Sequence, residues 1–146
     1  MKTINNNIEE KTVGFPNAKL LKEKGFYIDK SNTLKFYHTE TELRIWNTIM
    51  RVQTYATSLP FEYSKYDIYQ APTTSLAIDW IRINFGIQIF LDYTFYDGFH
   101  YGCKVVLPDG NVEEIWVEGV DNDIDGSDTP EEAKEAAINH VLTVLL

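Results

Sequence analysis

Ala71-Pro-Thr-Thr-Ser-Leu-Ala-Ile-Asp-Trp-Ile-Arg-Ile-Asn-Phe-Gly-Ile-Gln-Ile-Phe-Leu91 reads as one helix running straight into one strand. Pro72 closes whatever precedes it. Thr73 or Thr74 offers a hydroxyl cap, and Gly86 supplies the left-handed residue that stops the helix. Leu76, Ala77, Trp80 and Ile83 form one apolar stripe, with Ile78, Ile81 and Phe85 beside it. Only Ser75, Asp79 and Arg82 are left as a polar seam, so the arc predicts burial on more than one side. From Ile87 the period changes to two, and Ile87, Ile89, Leu91, Tyr93 and Phe95 share one strand face.

Downstream, Tyr96-Asp-Gly-Phe99 is an Asp-Gly hairpin turn. A second strand from Phe99 to Leu107 puts Phe99, Tyr101, Cys103, Val105 and Leu107 on one face. Pro108-Asp-Gly-Asn111 turns the chain into a third strand, Val112 to Glu118, which buries Ile115 and Val117 on one side and Trp116 on the other. A last helix runs from Pro130 to about Leu145, with Ala133, Ala137, Val141, Val144 and Leu145 inward. The fold class is therefore α+β: helix, three-stranded antiparallel meander, helix, with the helices covering one sheet face.

Upstream, residues 1–13 read as a flexible polar arm, and 14–146 as a single domain. Within it, 14–70 form an N-terminal extension to the 71–146 core. Phe15 to Gly25 reads as a short helix with Ala18, Leu21 and Leu20 facing inward, lysines in its last turn and Gly25 as its stop. Phe26–Ile28 and Leu34–Tyr37 suit a hairpin about residues 29–33. Glu42 to Arg51 carries apolar residues at 43, 46, 49 and 50, a helical spacing. The β-branched Ile45, Thr48, Val52 and Thr54 pull toward strand, and helix is the expectation.

Composition bounds function by exclusion. The chain has 146 residues and a net charge of −9. Residues 109–146 hold 11 acids and one base, Lys134, hence −10, so the remainder is close to neutral. Such a distribution disfavours nucleic acid, whose backbone needs clustered cations. No apolar run reaches the roughly 20 residues of a membrane span, and the N-terminus lacks a signal-peptide core. A single cysteine excludes an internal disulfide, and a reducing cytoplasm follows as the expected location.

The helix–meander–helix order resembles the double-stranded-RNA-binding domain. Where that family opens its last helix with a basic Lys-Lys-x-Ala-Lys-x-Ala-Ala run, this chain has Pro130-Glu-Glu-Ala-Lys-Glu-Ala-Ala137, and Lys134 alone keeps its charge. The resemblance implies topology, while the acidic start would repel phosphate. A second resemblance rests on Lys19-Leu-Leu-Lys-Glu-Lys-Gly-Phe26, Ala71-Pro-Thr-Thr-Ser-Leu-Ala77 with Trp80-Ile-Arg82, and Pro130 to Ala136. In that order they are similar to a family of small bacteriophage and prophage proteins of gut bacteria. It covers most of the chain from about residue 18, apart from 39–68, and implies a phage-type origin with no activity attached, located in the cytoplasm of the bacterial host or, alternatively, in the virion.

One stretch has metal-ligand spacing. Asp121-Asn-Asp-Ile-Asp-Gly-Ser-Asp-Thr-Pro-Glu-Glu132 matches a calcium loop in register, with Asp121, Asp123 and Asp125 at positions 1, 3 and 5. Gly126 stands at 6, Thr129 at 9 and Glu132 at 12. Against this, a strand enters the loop where a helix is expected, and Asp128 replaces an apolar residue. The same residues also make a capping box, Thr129 with Glu132, ahead of Pro130 at the first helical position. Calcium and cap both stand as readings.

Catalytic signatures are missing. His38, His100 and His140 are scattered, His100 and Cys103 fall on opposite strand faces, and Cys103 sits with core residues. No enzyme activity is expected. The leading expectation is a protein–protein interaction module, either a host-directed effector or a virion accessory. A calcium-stabilised structural module is the alternative, and a small-ligand-binding protein or enzyme the third. The expected partner is a basic protein, contacting Tyr63, Tyr66, Tyr69, Glu113, Glu118 and Asp128. Oligomeric state is open.

Overall fold

A computed structural model describes residues 11–27, 33–39, 42–47, 69–95, 99–117 and 126–146. Among these residues are three α-helices: α1 (Phe15–Glu23), α2 (Thr74–Phe85) and α3 (Pro130–His140), the last continued by a π-helical turn over Val141–Leu145. Strands β1 (Thr33–Thr39), β2 (Glu42–Asn47) and β3 (Tyr69–Gln70) form one sheet in the order β2-β1-β3. Strands β4 (Gln88–Phe95), β5 (Phe99–Val106) and β6 (Val112–Ile115) form a second, in the order β4-β5-β6. All pairings are antiparallel. The fold is α+β, and its core is the predicted helix–meander–helix.

The joint at Gly86 forms as its sequence dictates. Thr73 Oγ1 accepts the Leu76 N–H at 3.2 Å, and Gly86, at φ 69°, closes α2 by donating to the Arg82 carbonyl. Ala77 and Ile81 are fully buried. They join Ile87 and Ile89 of the following strand, Cys103 and Val105 of β5, and Ala133, Ala137 and Ile138 of α3 in one core. Each buried Ile, Leu or Val contributes about 1.5–3 kcal/mol. The alanines of α3 leave room for the sheet, which this helix crosses along all three strands.

Several expectations need correction. The segment 42–47 is a strand, not a helix, so the β-branched signal outweighed the helical spacing. Its partner is β1, with Thr39 opposite Glu42, so β1 forms its described hairpin with the segment that follows it, while residues 28–32 of the expected hairpin lie outside the described residues. Phe26 lies outside any strand and packs edge-on against Trp80. Residues 11–13 are no loose arm: Thr12 bridges Thr73, Val13 donates to the Pro72 carbonyl at 2.9 Å, and Val13 is fully buried. Burial of α2 is one-sided, since Ile83 is 70% and Leu76 42% exposed.

At the C-terminus Val144 is 65% exposed, with Leu142 buried instead. A π-helical turn places more residues per turn than an α-helix, so Val144 lags off the inner face. On the third strand Ile115 is partly buried but Val117 is exposed, because β6 ends at Ile115 and Val117 lies in the exit from the sheet.

Candidate functional site

The polar centre of the molecule lies between α1 and α3. Asn17 falls in the first turn of α1 on its buried side, next to Ala18 and one turn before Leu21, and is 1% exposed. A buried amide requires partners. Its Nδ2 donates to the Glu135 main-chain carbonyl at 2.9 Å and to Glu135 Oε1 at 2.8 Å. The same Oε1 accepts the Gly14 N–H at 2.6 Å. Gly14 is the N-cap residue of α1 and offers no side chain of its own, so a glutamate from α3 supplies the acceptor there.

This network fixes the orientation of both amides. Two acceptors on α3 hold the Asn17 nitrogen, which leaves Asn17 Oδ1 to accept from Asn139 Nδ2 at 3.1 Å. Asn139 Oδ1 then remains as an acceptor. Burial holds the Glu135 carboxyl above its ordinary pKa, partly offset by the Gly14 N–H and the Asn17 amide. Burial also raises the Tyr37 phenol, helped by the Glu135 charge, while its hydroxyl donates to the Val13 carbonyl at 3.0 Å. Beside this cluster opens a groove of about 520 Å³, lined by Gly14, Pro16, Asn17, Glu132, Glu135, Ala136 and Asn139.

The loop entering α3 is described from Gly126 onward. Thr129 Oγ1 accepts the Glu132 N–H at 3.3 Å, and Pro130 opens the helix, so the capping half of the motif is formed. Ser127 bridges Tyr101 in both directions: its carbonyl, at loop position 7, accepts the Tyr101 N–H at 2.9 Å, and its own N–H donates back at 2.8 Å. Its Oγ is buried with no hydrogen-bond partner. Gly126 has φ 133°, and a Cβ there would lie 2.8 Å from that of His100, so no other residue fits. Glu132 and Asp128 are exposed. Asp121, Asp123 and Asp125 lie outside the described residues, and among those described no group of three or more ligating side chains is placed to hold a metal.

The residues expected to meet a partner are scattered. Tyr63, Tyr66 and Glu118 lie outside the described residues. Tyr69 is half-buried, edge-on to Phe15 at 5.4 Å with the Lys22 ammonium 4.7 Å above its ring, so it serves packing. Glu113 reaches across to α3, where its Oε2 sits 2.9 Å from His140 Nε2. Cys103 is fully buried, and burial pushes its thiol up to about 11, with the Lys134 charge opposing and Asp92 assisting. It is a core residue and no nucleophile.

The second surface of interest is the outer end of β4. Ile87 and Ile89 are buried, but along the same face Leu91, Tyr93 and Phe95 are 42%, 61% and 70% exposed, and Phe90 on the opposite face is 52% exposed. The alternation is intact; the strand simply runs beyond its helical cover. Among the described residues β4 is also an edge strand of its sheet. Because Tyr101 spends its N–H and carbonyl on Ser127, its opposite number Tyr93 directs its main-chain groups to the outer edge, and with it Leu91 and Ile89. The Tyr93 N–H is held by the Asp92 carboxylate at 2.9 Å, which also lies 3.6 Å from Lys104.

Gly14, Asn17, Glu135 and Asn139 were not singled out by sequence. The available signal was Asn17, a polar residue inside the apolar stripe of a short helix. No protein-family model, curated protein or solved structure matches this chain.

Proposed function

We propose that this protein is a phage-type interaction module that binds a basic protein through the outer end of β4. One observation carries the reading: Leu91, Tyr93 and Phe95 are large, exposed and neighbours on one face of a strand whose other half is core. Apolar side chains grouped this way mark a contact surface. The occupant that fits is an extended segment with apolar alternate residues, because β4 is an edge strand whose main-chain groups at Ile89 and Leu91 face outward. Basic residues flanking that segment would match a chain of net charge −9.

The test is capture of host proteins by the wild type and by a Leu91→Lys/Phe95→Lys variant, at low and high salt. Both sites are exposed, so the fold should survive, which the melting temperature verifies. Loss of the same captured proteins on substitution and on raising salt supports the reading. Unchanged capture by a folded variant refutes it.

A further inference from the structure

Asp92 is the only charged residue of β4, and it stands within the exposed end of that strand. Its neighbours Leu91 and Tyr93 turn their main-chain groups to the outer edge. Beside a further antiparallel strand Asp92 would therefore form a non-hydrogen-bonded pair, the kind whose side chains come closest, with Cα atoms about 4.5 Å apart. On the sheet face turned away from the helices, charge alternates from strand to strand. Glu114 of β6 stands directly opposite Lys104 of β5, and Lys104 Nζ lies 3.6 Å from Asp92 Oδ2 on β4. Among the described residues this face carries two acids and one base, with His100 on the same face of β5. The row minus, plus, minus thus ends on an acid at the sheet edge, where the Asp92 side chain is 33% exposed. Asp92 also covers the edge itself. Its Oδ1 accepts the Tyr93 N–H, a donor that points outward. A strand arriving there takes this N–H with a carbonyl of its own, and the displaced carboxylate then needs a new donor.

From this we infer, resting on the docking surface proposed above, that Asp92 is the specificity-determining residue of the β4 edge: the segment it admits is extended and places an arginine or lysine opposite Asp92, between two apolar residues. A basic side chain there continues the row as plus and donates to the carboxylate that has given up the Tyr93 N–H. The two flanking residues fall on the other face of the added strand, beside Leu91 and Tyr93. An acid at the central position sets like charges side by side, and a neutral aliphatic residue leaves the carboxylate short of a donor. The net charge of −9 attracts bases wherever they sit in a partner, whereas Asp92 fixes where in the segment the base must stand.

The test is NMR titration of the full chain with a blocked nonapeptide, Thr-Val-Thr-Val-Xaa-Val-Thr-Val-Thr, in which Xaa is Arg, Gln or Glu. The Arg peptide should bind at least about fivefold more tightly than the Gln peptide, with the Glu peptide weakest. The Tyr93 amide should shift on binding, since it exchanges Asp92 for a peptide carbonyl. Asp92→Asn should remove the Arg advantage, and Asp92→Lys should reverse the order in favour of Glu. Melting temperatures verify that both variants fold. Equal affinity for the three peptides, or an Arg advantage that survives in Asp92→Asn, overturns the role of Asp92. If that binding is nevertheless lost in Leu91→Lys/Phe95→Lys, the docking surface itself stands. Binding indifferent to every variant, or none up to about 5 mM, overturns both. Dimerisation of the wild type that Leu91→Lys/Phe95→Lys abolishes would assign the edge to a second copy of the chain and likewise overturn the inference.

Discussion

Glu135 makes opposite predictions for two substitutions, and the difference isolates what a part-buried carboxylate does here. Glu135→Ala removes the acceptor of the Gly14 N–H and one acceptor of the Asn17 amide. An unmet buried donor costs about 1–3 kcal/mol. Because the groove admits water, the lower end applies to each, giving a loss of about 2 kcal/mol and a melting temperature lower by about 4–8 °C. Glu135→Gln keeps Oε1 for both donors and removes a charge that burial disfavours, so its melting temperature at neutral pH should equal or exceed that of the wild type. The folded-state pKa of Glu135 is raised. Its contribution to stability is therefore fully present below the unfolded value of about 4.3 and lost as pH rises through the folded value. The advantage of Glu135→Gln over the wild type should accordingly grow across that window and then level off. Thermal unfolding of the three proteins from pH 4 to 7 measures both effects. If Gln is as damaging as Ala at pH 7, the ionised carboxylate is itself stabilising and the reasoning from burial is wrong.

Thr129→Ala should cost about 1 kcal/mol through the lost cap of α3, and Thr129→Ser should restore most of it in a chemical melt. The calcium reading of 121–132 predicts in addition a rise in melting temperature in millimolar calcium that Glu132→Gln abolishes; without that rise only the cap remains. Gly102→Ala would place a Cβ 2.5 Å from the Trp116 ring, which lies flat on that glycine. Displacing the indole should cost about 1–3 kcal/mol and red-shift Trp fluorescence, and an unchanged spectrum would contradict the contact. Cys103, buried with its thiol raised to about 11, should react with a disulfide reagent only as fast as the protein opens. Rapid labelling of the native protein would show that the thiol is accessible.

The C-terminal half was legible because its signals are local and agree with one another. Thr73 caps, Gly86 stops, the period switches at Ile87, and two Asp-Gly pairs in the sequence mark the breaks between three strands, so helix, meander and helix follow directly. The 42–47 strand was misread because apolar residues at 43 and 46 satisfy a helical spacing over so short a run. What decided it was pairing with β1, a contact that periodicity does not encode. The extent of cover along β4 was not legible for a related reason: alternation gives the face of Leu91, Tyr93 and Phe95 but not where the covering helices end. The α1–α3 cluster was invisible because its bonds join residues about 120 positions apart. Asn17 carried a hint as a polar residue among inward apolar ones, whereas Glu135 looked like one more acid in an acidic helix.

Hydrogen exchange along β4, in the free protein and in complex with its captured partner, tests the proposed docking surface most directly. The main-chain N–H groups of Ile89 and Leu91 face the outer edge of the sheet, and an extended partner segment would take them as hydrogen-bond donors. Slowing of exchange at these two amides by at least about tenfold, absent when Leu91→Lys/Phe95→Lys is mixed with the same partner, is the expected result. Unchanged exchange along β4 in a complex that demonstrably forms would place the contact elsewhere and contradict the account.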